Sequence, residues 1–81
     1  MKLPRDIDGI ELIKLLAQFG YSVTKQTGSH IRVTTHMNGE HHVTIPNHDP
    51  LKIGTLNNVL KDIAEHFNIR KDELMKKVFI E

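Results

Sequence analysis

The chain has 81 residues, a length that suits one domain over residues 1–81 and excludes a second hydrophobic core. Its 11 Lys and Arg against 10 Asp and Glu give a formal charge of +1 at pH 7, which excludes the strongly basic character of a nucleic-acid coat protein. There is no cysteine, which excludes disulfides and thiolate metal sites and favours a cytoplasmic location.

The N-terminal segment does not have the character of a targeting sequence. Residues 1–6 contain no uninterrupted apolar run, whereas a signal peptide needs one. The longest run nearby, Leu15-Leu16-Ala17, is far shorter than a membrane span. We therefore expect no signal peptide and no membrane anchor.

The first predicted element is an amphipathic helix from Asp8 to Phe19. Its apolar residues fill one wide side of a helical wheel, and charged or polar residues lie opposite. Asp6 or Asp8 can cap its start, and Gly20 supplies the left-handed position that commonly ends a helix.

Three strands are predicted next. Residues 21–26 alternate with the period of a half-buried strand, and residues 27–29 then interrupt the pattern. In the second strand, residues 30–36, the odd-numbered positions are apolar or Thr and face one way, while the even-numbered positions are polar. The third strand covers residues 40–46, with His41, Val43 and Ile45 on one side and His42 and Thr44 on the opposite side.

The connection between the second and third strands sets their register. Asn38-Gly39 could form a two-residue hairpin loop, but that register would mix apolar and polar residues on each face. A three-residue loop over residues 37–39 pairs Val33 with Val43 and keeps the apolar residues together. We therefore predict the longer loop, with Gly39 in the left-handed conformation.

Two further helices complete the predicted fold. Apolar residues recur at helical spacing from Leu56 to Phe67, with Thr55 as the expected cap. A short third helix is predicted from Lys71 to Lys77, with acidic residues in its first turn and lysines in its last. The sequence thus predicts an α+β domain of order α-β-β-β-α with a short C-terminal helix, in which helices cover one face of a three-stranded antiparallel sheet.

The polar face of the second strand carries the residues best suited to chemistry. His30, Arg32 and Thr34 form one row, and His42 and Thr44 lie beside it on the neighbouring strand. A histidine can transfer a proton near neutral pH, an arginine can pair with a phosphate oxygen, and hydroxyls can hydrogen-bond to phosphate. These residue types together are suited to a phosphodiester.

Several short motifs follow one another along nearly the full chain. They are Glu11-Leu12-Ile13-Lys14-Leu15-Leu16 leading to Phe19-Gly20-Tyr21, then Gly28-Ser29-His30, Val43-Thr44-Ile45-Pro46 with His48, Leu51-Lys52-Ile53-Gly54-Thr55-Leu56, and the apolar tail Asp72-Glu73-Leu74. In this order the motifs resemble the HicA family of mRNA-interferase toxins.

The resemblance implies both a fold and an activity. It implies a fold like that of a double-stranded-RNA-binding domain, a catalytic histidine at His30, and cleavage of mRNA without a metal or another cofactor. It also implies neutralisation by a HicB-type antitoxin. In this scheme the RNA 2′-hydroxyl is the nucleophile, and His30 acts as general acid or base.

Five further residues are expected to contact the RNA. Lys25, Arg32 and Lys52 are candidates for binding phosphate, and Gly28 and Ser29 flank the catalytic histidine. Two of them have simpler explanations: a glycine between strands commonly supplies a turn, and Ser29 can bond to the loop backbone.

The second helix indicates whether the RNA is single-stranded or double-stranded. Double-stranded-RNA binders begin this helix with a basic cluster, whereas here its first turns supply the single lysine Lys61. We therefore favour single-stranded RNA as the substrate, although aromatic residues for base stacking are scarce.

Other interpretations remain open at the level of sequence. His30 alone would be an ordinary exposed strand histidine. His36, His41, His42 and His48 suggest a metal site, but His41 and His42 point to opposite faces of a strand and no cysteine completes the set, so we predict none. The alternative function is a non-catalytic RNA-binding or adaptor module of the same fold, followed by a purely structural partner-binding domain.

Overall fold

The order of elements confirms the predicted α+β fold. The structure, a computed structural model, describes residues 6–79, so Met1 to Arg5, on which the signal-peptide prediction partly rests, lie outside it. The helices and strands are α1 (Gly9–Leu16), followed by a 3-10 turn (Ala17–Phe19), β1 (Ser22–Thr27), β2 (His30–Thr35), β3 (His41–Pro46), α2 (Ile53–Phe67) and α3 (Lys71–Phe79).

The three strands form one antiparallel sheet with β2 in the centre. Val33 of β2 pairs with Val43 of β3, so the predicted register is confirmed. Gly39 has the predicted positive φ, at +97°. Asn38 beside it also has a positive φ, +58°, which was not predicted; asparagine tolerates this conformation better than most residues.

One face of the sheet packs against the helices and forms the core. Each fully buried aliphatic side chain contributes roughly 1.5–3 kcal/mol relative to an exposed one. The aliphatic side chains with essentially no exposure are Leu12, Leu16, Val33, Ile45, Leu56, Leu60, Ile63 and Leu74. The third helix also belongs to this core, because Leu74, Met75 and Val78 are buried and α3 contacts α1 and α2.

The start of α1 is fixed by its cap and by its approach to the sheet. Asp8, one of the two predicted caps, accepts a hydrogen bond from the Glu11 backbone N–H at 2.7 Å, and the Glu11 carboxylate accepts one from the Asp8 N–H at 3.1 Å. A Cβ on Gly9 would collide with the backbone carbonyl of Pro46. The glycine therefore allows α1 to pack closely against the end of β3. Gly20 has φ +84° and ends the first helical segment as predicted.

The predicted cap of α2 is wrong. The helix begins at Ile53, two residues before Thr55, and Lys52 is the N-cap residue without a side-chain hydrogen bond. The Leu51 side chain is buried, and its backbone N–H donates to the Ile7 carbonyl at 2.8 Å. Tertiary packing just before the helix, rather than a capping side chain, thus sets where α2 starts.

The predicted half-buried character of β1 is also wrong. All six residues of the strand are exposed, including Val23, which is 53% exposed although it pairs with the buried Val33. In this part of the chain Tyr21, just before the strand, is the residue that enters the core, at 3% exposure. The edge strand therefore extends beyond the cover that the helices provide.

Candidate active site

His30 lies at one end of the central strand. It begins β2 directly after a two-residue turn, Gly28-Ser29, and is paired with Thr27 of β1 and Pro46 of β3. Its side chain is exposed. The alternation of β2 places it on the open face of the sheet, opposite the helices, where a polynucleotide can reach it.

The turn before His30 depends on the backbone of its two residues. Gly28 has φ +58°, and a Cβ there would meet nothing within 4 Å. Conformation rather than space therefore selects glycine, which favours the turn explanation for this residue. The carbonyl of Ser29 accepts a hydrogen bond from the Asn47 N–H at 2.6 Å, which ties the segment after β3 to the turn.

Two cations lie side by side next to His30. Arg32 follows His30 on the same face of β2, and Lys25 of β1 is the residue paired with Arg32. Both are exposed. The ion pairs found within residues 6–79 involve His41, His42 and Arg70, and neither Lys25 nor Arg32 takes part in one. The structure thus brings together three of the predicted site residues.

Further along the open face, a chain of hydrogen bonds crosses the sheet. The hydroxyl of Thr24 lies 2.8 Å from that of Thr34, which lies 2.7 Å from Nδ1 of His42. Nε2 of His42 lies 2.8 Å from the Glu40 carboxylate. An ionised carboxylate only accepts, so Nε2 donates to Glu40 and Nδ1 of a neutral ring accepts from Thr34. Both ring nitrogens of His42 are therefore occupied.

Lys52 belongs to the other layer of the molecule. It precedes α2, whose opposite end lies at the β2–β3 loop, because Nε2 of His66 donates to the carbonyls of Met37 and Gly39 at 3.0 and 3.1 Å. A helix of 15 residues spans about 22 Å, comparable to the length of the strands. Lys52 therefore lies at the same end of the sheet as His30 but on the helix side.

A second cluster, on the helix side, was not predicted. The Tyr21 hydroxyl lies 2.7 Å from Nδ1 of His41, and Nε2 of His41 lies 3.2 Å from the Asp62 carboxylate. The rings of His41 and His66 stack with centroids 4.3 Å apart. Burial raises the pKa of the Tyr21 phenol, and the nearby Asp62 carboxylate raises it further. These contacts join the residue before β1, the start of β3 and the surface of α2.

The matched family settles which class of protein this fold and site belong to. The family model described as "HicA toxin of bacterial toxin-antitoxin" matches residues 9–64. The chain belongs to this HicA family. The match covers more than half of the chain and includes His30 and all of the residues expected to contact RNA, whereas α3 follows it. No curated protein and no solved structure matches the chain significantly.

Membership of the HicA family makes this protein a toxin of a toxin–antitoxin pair, and toxins of this family are generally mRNA-cleaving interferases. Between Asp6 and Phe79, none of the helices is both long and apolar enough to cross a membrane. In the same part of the HicA chain, no three His, Cys, Asp or Glu residues are grouped so that they could hold a metal ion. His36 and His48 are exposed loop residues.

Proposed function

We propose that this HicA-family toxin is an endoribonuclease that cuts mRNA with His30 as general acid or base, without a metal ion. The observation that supports the proposal is the position of His30. It is exposed at the end of the central strand, within the part of the chain that matches the family model, and two cations lie beside it on the same face.

The proposed reaction uses the nucleophile that RNA itself carries. The 2′-hydroxyl loses its proton and attacks the adjacent phosphorus, the bond from phosphorus to the 5′-oxygen breaks, and that oxygen takes up a proton. The products are a 2′,3′-cyclic phosphate and a 5′-hydroxyl end. His30 acts in one of the two proton transfers, a role that typically contributes about 10²–10⁴-fold.

The cations have an electrostatic role in this scheme. The phosphorane that forms during attack carries more negative charge than the starting diester, so a cation beside it stabilises the transition state more than the ground state. Arg32 and Lys25 can serve in this role from the open face, and Lys52 from the helix side at the same end of the sheet.

The substrate and the partner are part of the same proposal. We propose single-stranded mRNA as the substrate, because the open face is accessible and the first turns of α2 supply no basic cluster. In the cytoplasm, a HicB-type antitoxin would neutralise the toxin by binding it. Degradation of the antitoxin would then release the activity.

Cleavage by the purified chain tests the proposal directly. A single-stranded RNA incubated with the protein in EDTA should be cut and should yield 5′-hydroxyl and cyclic-phosphate ends, and expression without the antitoxin should arrest growth. RNA that is retarded on a gel but not cut would favour the non-catalytic RNA-binding module. Cleavage that needs an added divalent ion would contradict the proposed chemistry.

A further inference from the structure

A β-bulge in β1 decides which way Lys25 faces. Val23 pairs with Val33, and if the strand continued regularly, Lys25 would pair with Ile31 on the helix side of the sheet. Instead Lys25 pairs with Arg32, because Thr24 is an extra residue between the two pairs. Bulges of this kind redirect a side chain and are frequent beside active sites.

The bulge is held in place by the chain of hydrogen bonds that crosses the open face. The Thr24 hydroxyl lies 2.8 Å from that of Thr34 and 3.4 Å from the Arg32 carbonyl. Thr34 is only 4% exposed and is fixed from its other side by His42 at 2.7 Å. Thr24 is therefore attached to the central strand at the point where the register shifts.

We propose that this bulge builds a phosphate-binding pair from Lys25 and Arg32, and that Thr24 is its positioning residue. The pair would hold the backbone of a single-stranded RNA on the open face of the sheet, next to His30. The inference rests on the proposed function and adds to it the bulge that brings the two cations together and the residue, Thr24, that positions them.

The electrostatics of the sheet argue for an anionic ligand at this pair. Like charges directly opposite each other on neighbouring strands destabilise a sheet, yet the bulge places Lys25 opposite Arg32 where regular pairing would have separated them. Within the described residues no carboxylate forms an ion pair with either cation. A bound phosphate would offset this repulsion and would accept hydrogen bonds from both side chains.

The spacing also suits a single RNA segment. Paired residues of antiparallel strands have Cα atoms about 4.5–5.5 Å apart, and His30 and Arg32 are separated by about 7 Å along β2. The long side chains of Lys25 and Arg32 can therefore reach the phosphodiester that lies beside His30 or the next phosphodiester along the RNA. A strand that crosses the open face can thus contact His30 and both cations at once.

Salt-dependent binding tests the proposal. All variants carry His30→Ala, so that a labelled single-stranded RNA stays intact during the titration. Lys25→Gln and Arg32→Gln should each weaken binding several-fold and lower the slope of log affinity against log salt by about 0.7, the value for one contact with a single strand. Lys61→Gln and Lys76→Gln, which neutralise exposed lysines on α2 and α3, are the matched controls and should leave the slope unchanged.

The role of Thr24 is tested by its coupling to Lys25. Thr24→Val should reduce the salt dependence of RNA affinity as much as Lys25→Gln does. The double variant should reduce it little further, because both changes remove the same contact with phosphate. Thr24→Ser keeps the hydroxyl and should retain binding. A purely structural role would instead give losses that add, or a lower melting temperature without any change of slope.

The outcomes separate this inference from the proposed function. If the native toxin cuts RNA but Lys25→Gln and Arg32→Gln behave like the lysine controls, the phosphate pair is wrong and the nuclease stands. If the two variants reduce the salt dependence of RNA affinity but the native toxin does not cut RNA, the nuclease proposal fails and the phosphate-binding pair stands. If Lys25→Gln and Arg32→Gln weaken binding to a duplex of the same sequence as much as they weaken binding to the single strand, the preference for a single strand is contradicted.

Discussion

The hydroxyl of Tyr21 lies 2.7 Å from Nδ1 of His41. His41 in turn is held by Asp62 at 3.2 Å and stacks on His66, whose ring donates to the β2–β3 loop. This chain of contacts joins the start of β1, the start of β3 and the surface of α2. It lies at the end of the sheet opposite His30, so changes in it should affect stability and leave the proposed site intact.

The first prediction concerns the pH dependence of stability. Because the pKa of Tyr21 is raised in the folded protein, the unfolded chain loses its phenol proton first, near pH 10. The stability that Tyr21 contributes is thus present below pH 10 and declines as the pH rises above it. Tyr21→Phe should remove this decline while costing about 1 kcal/mol at pH 7 through the lost hydrogen bond.

Urea unfolding of both proteins between pH 7 and pH 11 is the measurement. Above pH 10, the free energy of unfolding of the native sequence should fall more steeply than that of Tyr21→Phe, by up to about 1.4 kcal/mol per pH unit. Parallel curves would show that burial does not hold the phenol in its neutral form.

The second prediction concerns the turn before the proposed catalytic histidine. Gly28→Ala places a Cβ in open space but at φ +58°, and this strain should cost about 1–2 kcal/mol. Gly54→Ala is the matched control, because it lies in the first turn of α2 with nothing close to the new Cβ. It should stabilise the protein by up to about 1 kcal/mol.

Thermal unfolding of the two variants gives the comparison. The melting temperature should fall for Gly28→Ala and stay equal or rise for Gly54→Ala. A neutral Gly28→Ala variant that still loses RNA binding would indicate that the glycine is needed for close approach of the RNA and not for the turn.

The third prediction concerns two paired valines, one in the edge strand β1 and one in the central strand β2, that have opposite environments. Val33 is fully buried, whereas Val23 is 53% exposed. Val33→Ala should cost about 2 kcal/mol or more, since it removes buried methyl groups and leaves a cavity. Val23→Ala should change the free energy of unfolding by less than about 0.5 kcal/mol. Similar losses at both positions would mean that β1 is covered after all.

Periodicity was sufficient to predict most of the fold. The apolar residues of α1, β2, β3 and α2 recur with the period of a helix or a strand. The match of Val33 with Val43 then excluded the two-residue loop. The start of α2 could not be predicted, because it depends on the contact between Leu51 and Ile7, which are far apart in the sequence. The same holds for the exposure of β1, since the alternation in its sequence does not say how far the helices extend.

The candidate site was predicted in part. The row of His30 and Arg32 follows directly from strand alternation, and the Gly28-Ser29-His30 motif indicated His30 as the proposed catalytic residue. Lys25 was among the expected RNA contacts, but its place beside Arg32 depends on the bulge at Thr24, which has no signal in the sequence. Strand alternation placed His41 on the same side of β3 as Val43 and Ile45, but its partner Tyr21 could not be inferred.

The central claim is that His30 performs the proton transfer in RNA cleavage, and one comparison tests it most directly. His30→Ala and His36→Ala, which changes an exposed loop histidine, are assayed on the same single-stranded RNA in EDTA, with melting temperatures recorded for both. We predict that His30→Ala keeps its melting temperature but loses about 10²–10⁴-fold in cleavage rate, while His36→Ala cuts normally. A folded His30→Ala protein that cuts at the native rate would contradict the account.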